Sequence, residues 1–344
     1  MKIAHFESGL GNQMLNYAEF LAVSYSYPND VFMEKLIYET LPKNKGICQW
    51  NGFELYRVFG IHLPDIESKI GHDNYEQLKK ALIYSAYWNN SWKYAEPIVE
   101  WFNKHGYHVL NLCKRGTDGD KEVYSLFQKM VKYIFFNTRC GNYIYRKLAR
   151  TFEKQLVHKN YENMFILNEK DFYFGQSLKF MYKNENIELI EKQLRNDFQF
   201  KNIDKRNASL GKMMEQQESV SIHVRRGDFL SRSNFCYKYG YFKRAVKLIK
   251  KKIDNPVFYF FFDSNDTKWI EEHLALFGIT KDDKYCVINF NKGENSYLDM
   301  YLMTCCHHNI ITQSSFGWWG SWLNRHEDKI TISPDCRINT KYWC

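Results

Sequence analysis

The second half of the chain alternates short apolar segments of strand length with segments of helical periodicity, and this alternation constrains the fold more than any other feature. In segment 219–224 every second residue is apolar, so the side chains of His223 and Arg225 are predicted to share the opposite face. Further strands are predicted at 257–262, 285–290, 310–312 and 330–333, with helices between them. This pattern specifies a doubly wound, mostly parallel sheet, in which ligands bind beyond the carboxyl ends of the strands.

Side-chain caps are predicted for two of the intervening helices. Asp266 stands where the helix after segment 257–262 begins, and aspartate is a preferred N-cap residue. Ser296 and Asp299 have the spacing of a capping box for the helix that runs to Cys306. Both aspartates are therefore expected at helix N-termini, bonded to backbone N–H groups.

The chain also opens with a strand, a glycine turn and a helix. Residues 1–6 predict the strand, and apolar residues spaced three or four apart between Met14 and Tyr25 predict the helix. The region 30–205 indicates only a mixed α/β lobe. A length of 344 residues and these patterns together predict two domains, an N-terminal α/β lobe of residues 1–205 and a C-terminal Rossmann-like lobe of residues 206–344.

Charge and composition narrow the choice of partner and compartment. A formal net charge of +9 favours an anionic partner, but the basic residues are scattered and accompany no nucleic-acid motif, so no specific nucleic acid is expected. No apolar run approaches the roughly 18 residues of a membrane span, and no signal peptide is expected. Nine cysteines without regular spacing indicate reduced thiols. We therefore expect a cytoplasmic protein, with peripheral attachment to the inner face of the membrane as an alternative.

Two segments have ligand types that metal sites use, but neither predicts one. The consecutive residues Cys-Cys-His-His at 305–308 cannot close a tetrahedral site because neighbouring side chains diverge, so a buried helix end is expected there. Asp118 and Asp120 have the Asp-x-Asp spacing of metal-dependent transferases. No apolar strand precedes them, which favours a solvated loop. No metal ion is therefore expected.

The residues with the most specific chemistry follow the predicted strand 219–224, in the sequence His-Val-Arg-Arg-Gly-Asp. Arg225 and Arg226 offer planar, permanently charged groups that match phosphate oxygens, with charge-assisted hydrogen bonds worth roughly 1.5 to 3 kcal/mol each. Held by Asp228, the pair could neutralise a departing diphosphate without a metal ion. The alternative is a structural ion pair of Arg225 with Asp228 and a surface position for Arg226.

A glycine loop before the first helix offers neutral donors to an anion. Its residues Gly11, Asn12 and Gln13 stand where backbone N–H groups and the helix dipole favour phosphate, and the two amides can also bond a hydroxyl. The loop lacks the third glycine of a dinucleotide fingerprint and the Lys-Ser/Thr of a P-loop. A tight turn without a ligand is therefore the alternative.

Two predicted strand ends in the C-terminal half carry further polar candidates. Ser314 and Ser315 can hold phosphate oxygens through Oγ and backbone N–H groups. At least two of the tryptophans at 318, 319 and 322 are expected to pack in the core. Asp263, directly after segment 257–262, can accept hydrogen bonds from a base or ribose.

Taken in order, four motifs of this chain resemble those of the family 11 glycosyltransferases, the α-1,2-fucosyltransferases. They are Gly-Leu-Gly-Asn-Gln-Met at 9–14, His-Val-Arg-Arg-Gly-Asp at 223–228, Asn-Ser-Tyr-Leu-Asp at 295–299 and Ser-Ser-Phe-Gly-Trp-Trp-Gly at 314–320. The resemblance is faint between 30 and 205, where acceptor choice should reside. Asp263 lies in Asp-Ser-Asn-Asp where relatives often have Ser-Asp-Asp. Gly317 replaces a common serine, a small change that we expect to be tolerated.

The resemblance implies a GT-B-like α/β fold, with two Rossmann-type lobes and a cleft between them. It also implies inverting, metal-independent transfer of L-fucose from GDP-fucose to the 2-hydroxyl of a galactose-containing acceptor. That acceptor would be a galactose-terminated oligosaccharide or a lipid-linked glycan. The first lobe would face the acceptor, and the second would bind the donor.

Matched position by position, the resemblance implies specific roles for residues of both lobes. Arg225 would contact the diphosphate, with His223 and Asp228 shaping the turn, and Asn12 would face the donor from the other lobe. The catalytic candidates are Arg225, Asp228 and Asn12. The donor-binding candidates are His223, Arg225, Arg226, Gly11, Asn12, Gln13, Asp263, Ser314, Ser315 and Phe316.

The general base and the exact function are open at this point. Asp228 is one candidate for the base, although a carboxylate salt-bridged to arginine is a poor base, and dissociative departure with proton loss to water is the alternative. A fucosyltransferase of another linkage or with a protein acceptor shares these motifs. The alternative that is not an enzyme is a catalytically silent nucleotide-sugar or glycan-binding module, against which both arginines and Asn12 argue.

Overall fold

The structure is a computed structural model in which the chain divides into two compact units, Met1–Gln199 and Phe200–Cys344. The boundary expected from the sequence lies between residues 205 and 206. The structure describes residues 1–45, 50–89, 93–113, 170–175, 184–227, 235–263 and 266–334, together with single positions between 130 and 147. Asp118, Asp120 and Asp228 lie outside the described residues.

Unit 1 is built on a parallel sheet. Its described strands are β1 (Lys2–His5), β2 (Val31–Glu34), β3 (Val109–Asn111) and β4 (Asp171–Phe174). They lie in the order β2-β1-β4-β3, and each described pair is parallel. Because β2 lies on one side of β1 and β4 on the other, the strand order reverses beside β1. In open α/β sheets such a reversal marks the place where ligands bind.

Helices cover this sheet and bury its apolar side chains. They are α1 (Leu10–Ser26), α2 (Ile37–Thr40), α3 (Leu55–Phe59), α4 (Ile66–Ile70), α5 (His72–Tyr84), α6 (Ala95–Lys104) and α7 (Ile187–Asp197), with 3-10 turns at Lys43–Lys45 and Tyr87–Asn89. Ile3 of β1, Leu78 of α5 and Phe102 of α6 belong to one fully buried cluster. The predicted apolar face of α1 is confirmed from Met14 to Leu21, which are buried, but not at its end, because Tyr25 is exposed.

Unit 2 contains the predicted doubly wound sheet. Its described strands are β5 (Ser219–Val224), β6 (Val257–Phe262), β7 (Lys284–Ile288), β8 (His308–Ile310) and β9 (Thr331–Ile332). They lie in the order β7-β6-β5-β8-β9, all parallel. The strand order therefore reverses between β5 and β8, as in Rossmann-type domains. Two parallel-sheet units confirm the α/β, GT-B-like class.

The helices of unit 2 lie between these strands. They are α8 (Lys205–Glu215), α9 (Phe235–Lys238), α10 (Tyr241–Lys252), α11 (Thr267–Glu272), α12 (Leu274–Phe277), α13 (Tyr297–Cys305) and α14 (Ser315–Leu323), with a 3-10 turn at Gly293–Asn295. The apolar residues of β5 share a core cluster with Val246 and Ile249 of α10. All three tryptophans of α14 are buried, as is Cys305 at the end of α13, so these core predictions are confirmed.

Asp266 and Ser296 are the N-cap residues of α11 and α13, as predicted, but neither side chain makes the cap hydrogen bond expected of it. Asp266 precedes α11, but its side chain makes no cap hydrogen bond, and its Oδ1 accepts a hydrogen bond from Arg226 instead. The side chain of Ser296 makes no cap hydrogen bond to α13. Asp299 is buried and accepts a hydrogen bond from Nδ2 of Asn291 at 2.8 Å. In each case a side chain from another part of the fold outcompetes the helix N-terminus for the carboxylate.

Among the described residues, no helix combines the length and the apolar character that crossing a bilayer requires.

Candidate functional site

The predicted site residues of unit 2 gather where the strand order reverses. His223 lies near the carboxyl end of β5, and Arg225 follows that strand directly. Thr312 and Ser314 follow the neighbouring strand β8. Because parallel strands end at the same edge of a sheet, these residues flank the switch point between β5 and β8, the usual ligand position in such folds.

His223 connects the two sides of this switch point. Its Nδ1 lies 3.2 Å from Oγ1 of Thr312, and its ring stacks on Phe316 with 5.9 Å between the ring centroids. Burial, together with the positive charge of Arg225, lowers the pKa of His223 to about 3. The imidazole is therefore neutral throughout the physiological range and cannot act as a general acid there. Its role is to hold the turn in place.

The backbone of Arg225 is fixed just beyond β5. The hydroxyl of Tyr237 donates a hydrogen bond to the carbonyl oxygen of Arg225 at 2.5 Å. The side chain of Arg225 is half-buried, and its positive charge contributes to the lowered pKa of His223. Gly227 completes the turn with a φ of 54°, in the left-handed region that glycine tolerates best.

Arg226 is held by Asp266, whereas Asp228, the aspartate expected to hold it, lies outside the described residues. Nη1 of Arg226 donates to Oδ1 of Asp266 at 2.6 Å, and its guanidinium carbon lies 3.6 Å from the centroid of the Trp269 ring. Arginine stacked on an aromatic ring and paired with a carboxylate has little rotational freedom. The surface position considered for Arg226 is wrong, because only 18% of its side chain is exposed. Asp263 is half-buried after β6, and its charge helps to raise the pKa of Asp266.

The N-terminus of α14 lies at the same edge of the sheet. Ser314 is the N-cap residue in an extended conformation, and its side chain makes no cap hydrogen bond. Its backbone N–H donates to the carbonyl oxygen of Thr312 at 2.8 Å. Ser315 and Phe316 in the first turn are half-buried. A helix N-terminus with two serines offers partial positive charge and hydroxyl donors to phosphate oxygens.

The glycine loop of unit 1 is braced by Gln13. Its Nε2 donates to the carbonyl oxygens of Ser8 and Gly52 at 2.9 and 2.8 Å, and its Oε1 accepts from the backbone N–H of Glu54 at 2.8 Å. The side chain is fully buried. The structure therefore gives Gln13 a supporting role rather than the direct donor contact expected from the sequence.

The neighbours of Gln13 in the loop differ from each other in exposure. Gly11 is buried in the first turn of α1, whereas Asn12 is half-buried. Ser8 has a φ of 70°, which costs free energy in a residue other than glycine and is typical of functional loops. Asn12 is thus the amide of this loop that reaches the surface, at the carboxyl end of β1.

Sequence reasoning missed a buried polar cluster beside this loop. His5 ends β1 and Glu34 ends β2, and Nδ1 of His5 lies 2.9 Å from Oε2 of Glu34. The available signal was a polar residue at the end of each of two apolar strands. That signal does not reveal that the two residues are neighbours, because the pairing of β1 with β2 is a property of the fold.

A second histidine cluster lies at the opposite edge of unit 2. The side chains of His307, His326 and Asp328 bring potential ligand atoms within 4.8 Å of one another. These residues precede β8 and β9, and so lie at the amino ends of the strands. Ligands of α/β sheets bind at the carboxyl ends, so this cluster is separate from the candidate site.

The chain belongs to glycosyl transferase family 11, whose family model matches residues 133–342. It is 36% identical over 125 residues to the O-antigen biosynthesis glycosyltransferase WbnK of Escherichia coli, a match that covers 35% of this chain and 39% of that protein. It is 29% identical over 201 residues to an α-1,2-colitosyltransferase of Escherichia coli, covering 56% of this chain and 67% of the relative.

More distant similarities extend to animals and to solved structures. The chain is 29% identical over 109 residues to the rat galactoside α-(1,2)-fucosyltransferase 2, covering 30% of this chain and 29% of that protein. Among solved structures, NodZ α-1,6-fucosyltransferase co-crystallised with GDP matches with a TM-score of 0.42 and 13% identity, over 93% of this chain and 90% of that one.

Proposed function

We propose that this chain is an inverting glycosyltransferase that moves L-fucose from GDP-fucose to the 2-hydroxyl of a galactose-containing glycan, without a metal ion. The observation that carries the proposal is the position of Arg225, which directly follows β5 at the switch point of a parallel sheet. Membership of glycosyl transferase family 11 supplies the reaction class. The names of the bacterial and rat relatives support the α-1,2 linkage and the galactoside acceptor.

In the proposed reaction the acceptor hydroxyl attacks C1 of fucose while GDP leaves from the opposite face. Negative charge then builds on the diphosphate. Arg225 would bind those oxygens, since a guanidinium matches phosphate geometry and stays charged at any working pH. The hydroxyls of Ser314 and Ser315 and the N–H group of Ser315 would add neutral donors at the start of α14. These groups stabilise the leaving group, which is the role a metal ion has in other transferases.

The positions of Arg226 and Asp263 fit the nucleotide end of the same donor. Arg226 is already oriented by Asp266 and Trp269, so binding an anion would cost it little additional entropy. Asp263 follows the neighbouring strand β6 and would accept hydrogen bonds from the base or ribose. Asn12 and Gly11 would contribute from unit 1, and Gln13 would hold their loop.

Colitose is a second candidate for the transferred sugar. Among the relatives matched by sequence above, the one that covers the largest share of this chain, 56%, is a colitosyltransferase. Colitose is the 3-deoxy form of fucose, so the two donors differ by one hydroxyl. A site that hydrogen-bonds this hydroxyl should discriminate strongly between the donors, because the poorer donor leaves a buried polar group unpaired.

The acceptor is expected to be a galactose-terminated oligosaccharide or a lipid-linked glycan. The net charge of +9 would favour an acceptor attached to an anionic membrane surface, with the protein bound peripherally. The test is an assay of purified protein with GDP-fucose or GDP-colitose and a panel of free and lipid-linked galactosides. Linkage of the product is determined by NMR. An α-1,2 product supports the proposal, another linkage corrects it, and no product with either donor contradicts it.

A further inference from the structure

The histidine cluster at the amino ends of β8 and β9 offers three metal-ligand types in one place. Ligand atoms of His307, His326 and Asp328 all lie within 4.8 Å of one another. Nε2 of His307 is 2.8 Å from Oδ1 of Asp328, and the rings of His307 and His326 stack with 4.2 Å between their centroids. A tetrahedral ion bound at about 2.1 Å by each ligand needs these atoms about 3.4 Å apart. The cluster is therefore close to the size of a metal site.

The three side chains come from two segments that the fold brings together. His307 directly precedes β8, and His326 and Asp328 lie in the loop between α14 and β9. The buried Asn324 fixes this loop, because its Nδ2 donates to the carbonyl oxygen of Cys306 at 2.7 Å and its Oδ1 accepts from the backbone N–H of His326 at 2.9 Å. The backbone that carries the ligands is thus held in place by the protein itself.

The two cysteines before His307 face away from this cluster. Sγ of Cys306 lies 3.8 Å from Sδ of Met214, and a Cβ atom placed on Gly211 would meet Sγ of Cys305 at 3.1 Å. Both thiols are buried and pack against α8. Consecutive side chains diverge here, as expected for the sequence Cys-Cys-His-His at 305–308. His307 is the residue of that sequence that belongs to the cluster, and its partners come from the loop before β9.

Further carboxylates lie on the segments around the cluster. Oε2 of Glu218, just before β5, is 3.4 Å from Nε2 of His308. The negative charge of Glu215, which ends α8, acts on His326. Together with Asp328, these groups supply negative charge from three segments of the chain. They favour a cation over an anion at this edge of the sheet.

The ligand types select the class of cation. Imidazole nitrogens suit Zn²⁺ and its neighbours among the transition metals, whereas Mg²⁺ and Ca²⁺ take oxygen ligands. Two histidines and one carboxylate leave one tetrahedral position for water. Stacked rings direct their in-plane lone pairs side by side, so one ring must turn about its Cβ–Cγ bond, a torsion with a broad profile. His326, half-buried in its loop, is the ring that can turn.

We propose that His307, His326 and Asp328 bind one Zn²⁺ ion, which ties the loop before β9 to the start of β8. The ion takes the place of the proton between His307 and Asp328, and that proton is released to water. β9 is an edge strand in which Thr331 and Ile332 are paired, so a cross-link at its amino end should stabilise unit 2. The site lies at the opposite edge of the sheet from the candidate donor site. The inference goes beyond the proposed function, and the ion takes no part in transfer.

The experiment titrates Zn²⁺ into tag-free protein that has been stripped of metal with EDTA and then dialysed. We expect calorimetry to show one high-affinity ion per chain, and the thermal midpoint to rise with Zn²⁺ concentration. Asp328→Ala should fold like the wild type, because this side chain is 77% exposed, and should bind Zn²⁺ at least ~10-fold more weakly. His326→Ala should weaken binding in the same way. The matched control is His72→Ala, which removes an exposed histidine paired with Glu67 and should keep the wild-type affinity.

Co²⁺ as a probe separates histidine ligands from cysteine ligands. The bound ion should give visible d–d absorption without thiolate absorption in the near ultraviolet, and the visible bands should be lost in Asp328→Ala. Equal Zn²⁺ affinity in the wild type, Asp328→Ala and His326→Ala overturns the proposal. A wild type that binds no Zn²⁺, or that binds Co²⁺ through thiolates, overturns it as well. These measurements do not involve sugar transfer, so a wild type that binds Zn²⁺ as expected but transfers no sugar supports this site and refutes the proposed function alone.

Discussion

A Cβ atom placed on Gly317 would lie 2.5 Å from Nδ1 and 2.9 Å from Cγ of His223. Real Cβ atoms do not approach other atoms so closely, so the first turn of α14 depends on glycine at this position to pack against the imidazole. A side chain therefore cannot be added at this position without moving the His223 ring.

Gly317→Ala should accordingly destabilise unit 2 by about 1–3 kcal/mol, the usual cost of an extra methyl group in a packed site. The displaced His223 should also weaken GDP binding. Denaturant unfolding and calorimetry with GDP measure the two effects. His223→Ala removes the obstructing ring, so the double variant should recover much of the stability that Gly317→Ala loses. If Gly317→Ala costs the same stability in the wild-type and the His223→Ala backgrounds, the clash with the ring is not the cause.

The two amides of the glycine loop should respond differently to substitution. Gln13→Leu leaves the N–H of Glu54 and the carbonyl oxygens of Ser8 and Gly52 without this partner, and should cost about 1–3 kcal/mol of folding stability. Asn12→Ala, at a half-buried position, should reduce turnover more than stability. Thermal unfolding and initial rates of both variants check this contrast. If Gln13→Leu instead lowers turnover more than stability, Gln13 contacts the sugar-nucleotide donor directly.

Asp299→Asn should stabilise the folded chain, increasingly so as pH rises. Burial raises the pKa of Asp299 from the ordinary 3.8 to about 8, although Asn291 donates a hydrogen bond to it. Between these values the folded state binds a proton that the unfolded state has released, so the free energy of unfolding falls as pH rises. Asparagine cannot ionise and keeps an oxygen for Asn291. Urea unfolding at pH 5 and pH 8 should show the larger gain at pH 8, and an equal gain at both would refute the assignment.

A feature of this fold or site can be predicted from the sequence when the residues that interact lie close together along the chain. The period-two pattern of β5 is local, and it correctly predicted a strand, which runs from Ser219 to Val224 with His223 near its carboxyl end and Arg225 directly after it. The predicted side-chain cap hydrogen bonds do not form, because Arg226 and Asn291 donate to the two aspartates instead. Arg226, for example, lies 40 residues before Asp266, and no local rule favours it over the helix N-terminus.

The same limit explains what was missed in unit 1. The glycines and amides of the loop predict a tight turn with donors, but not that Gln13 reaches the backbone of Glu54, 41 residues away. His5 and Glu34 are 29 residues apart and meet only because β1 and β2 are adjacent and parallel. Each strand end alone shows one polar residue, which a solvent-exposed strand end would show as well.

Chelation with EDTA should leave the initial rate of transfer unchanged, because Arg225 and the neutral donors near α14 are expected to stabilise the leaving group. His307→Ala is the control, since it removes the cluster with His326 and Asp328 at the opposite edge of unit 2. Loss of activity in both wild type and this variant, restored by Mg²⁺ or Mn²⁺, would contradict metal-free transfer. Asp118 and Asp120 would then return as candidate ligands.

The central claim is that Arg225 neutralises the departing diphosphate, and the kcat of Arg225→Ala tests it most directly. The account predicts a fall of ~10² to 10³, with the thermal midpoint retained and with Arg225→Lys recovering only part of the rate. Arg325→Ala, which removes an exposed arginine from the loop before β9, should keep the wild-type rate. A folded Arg225→Ala variant whose kcat stays within about threefold of wild type would contradict the account.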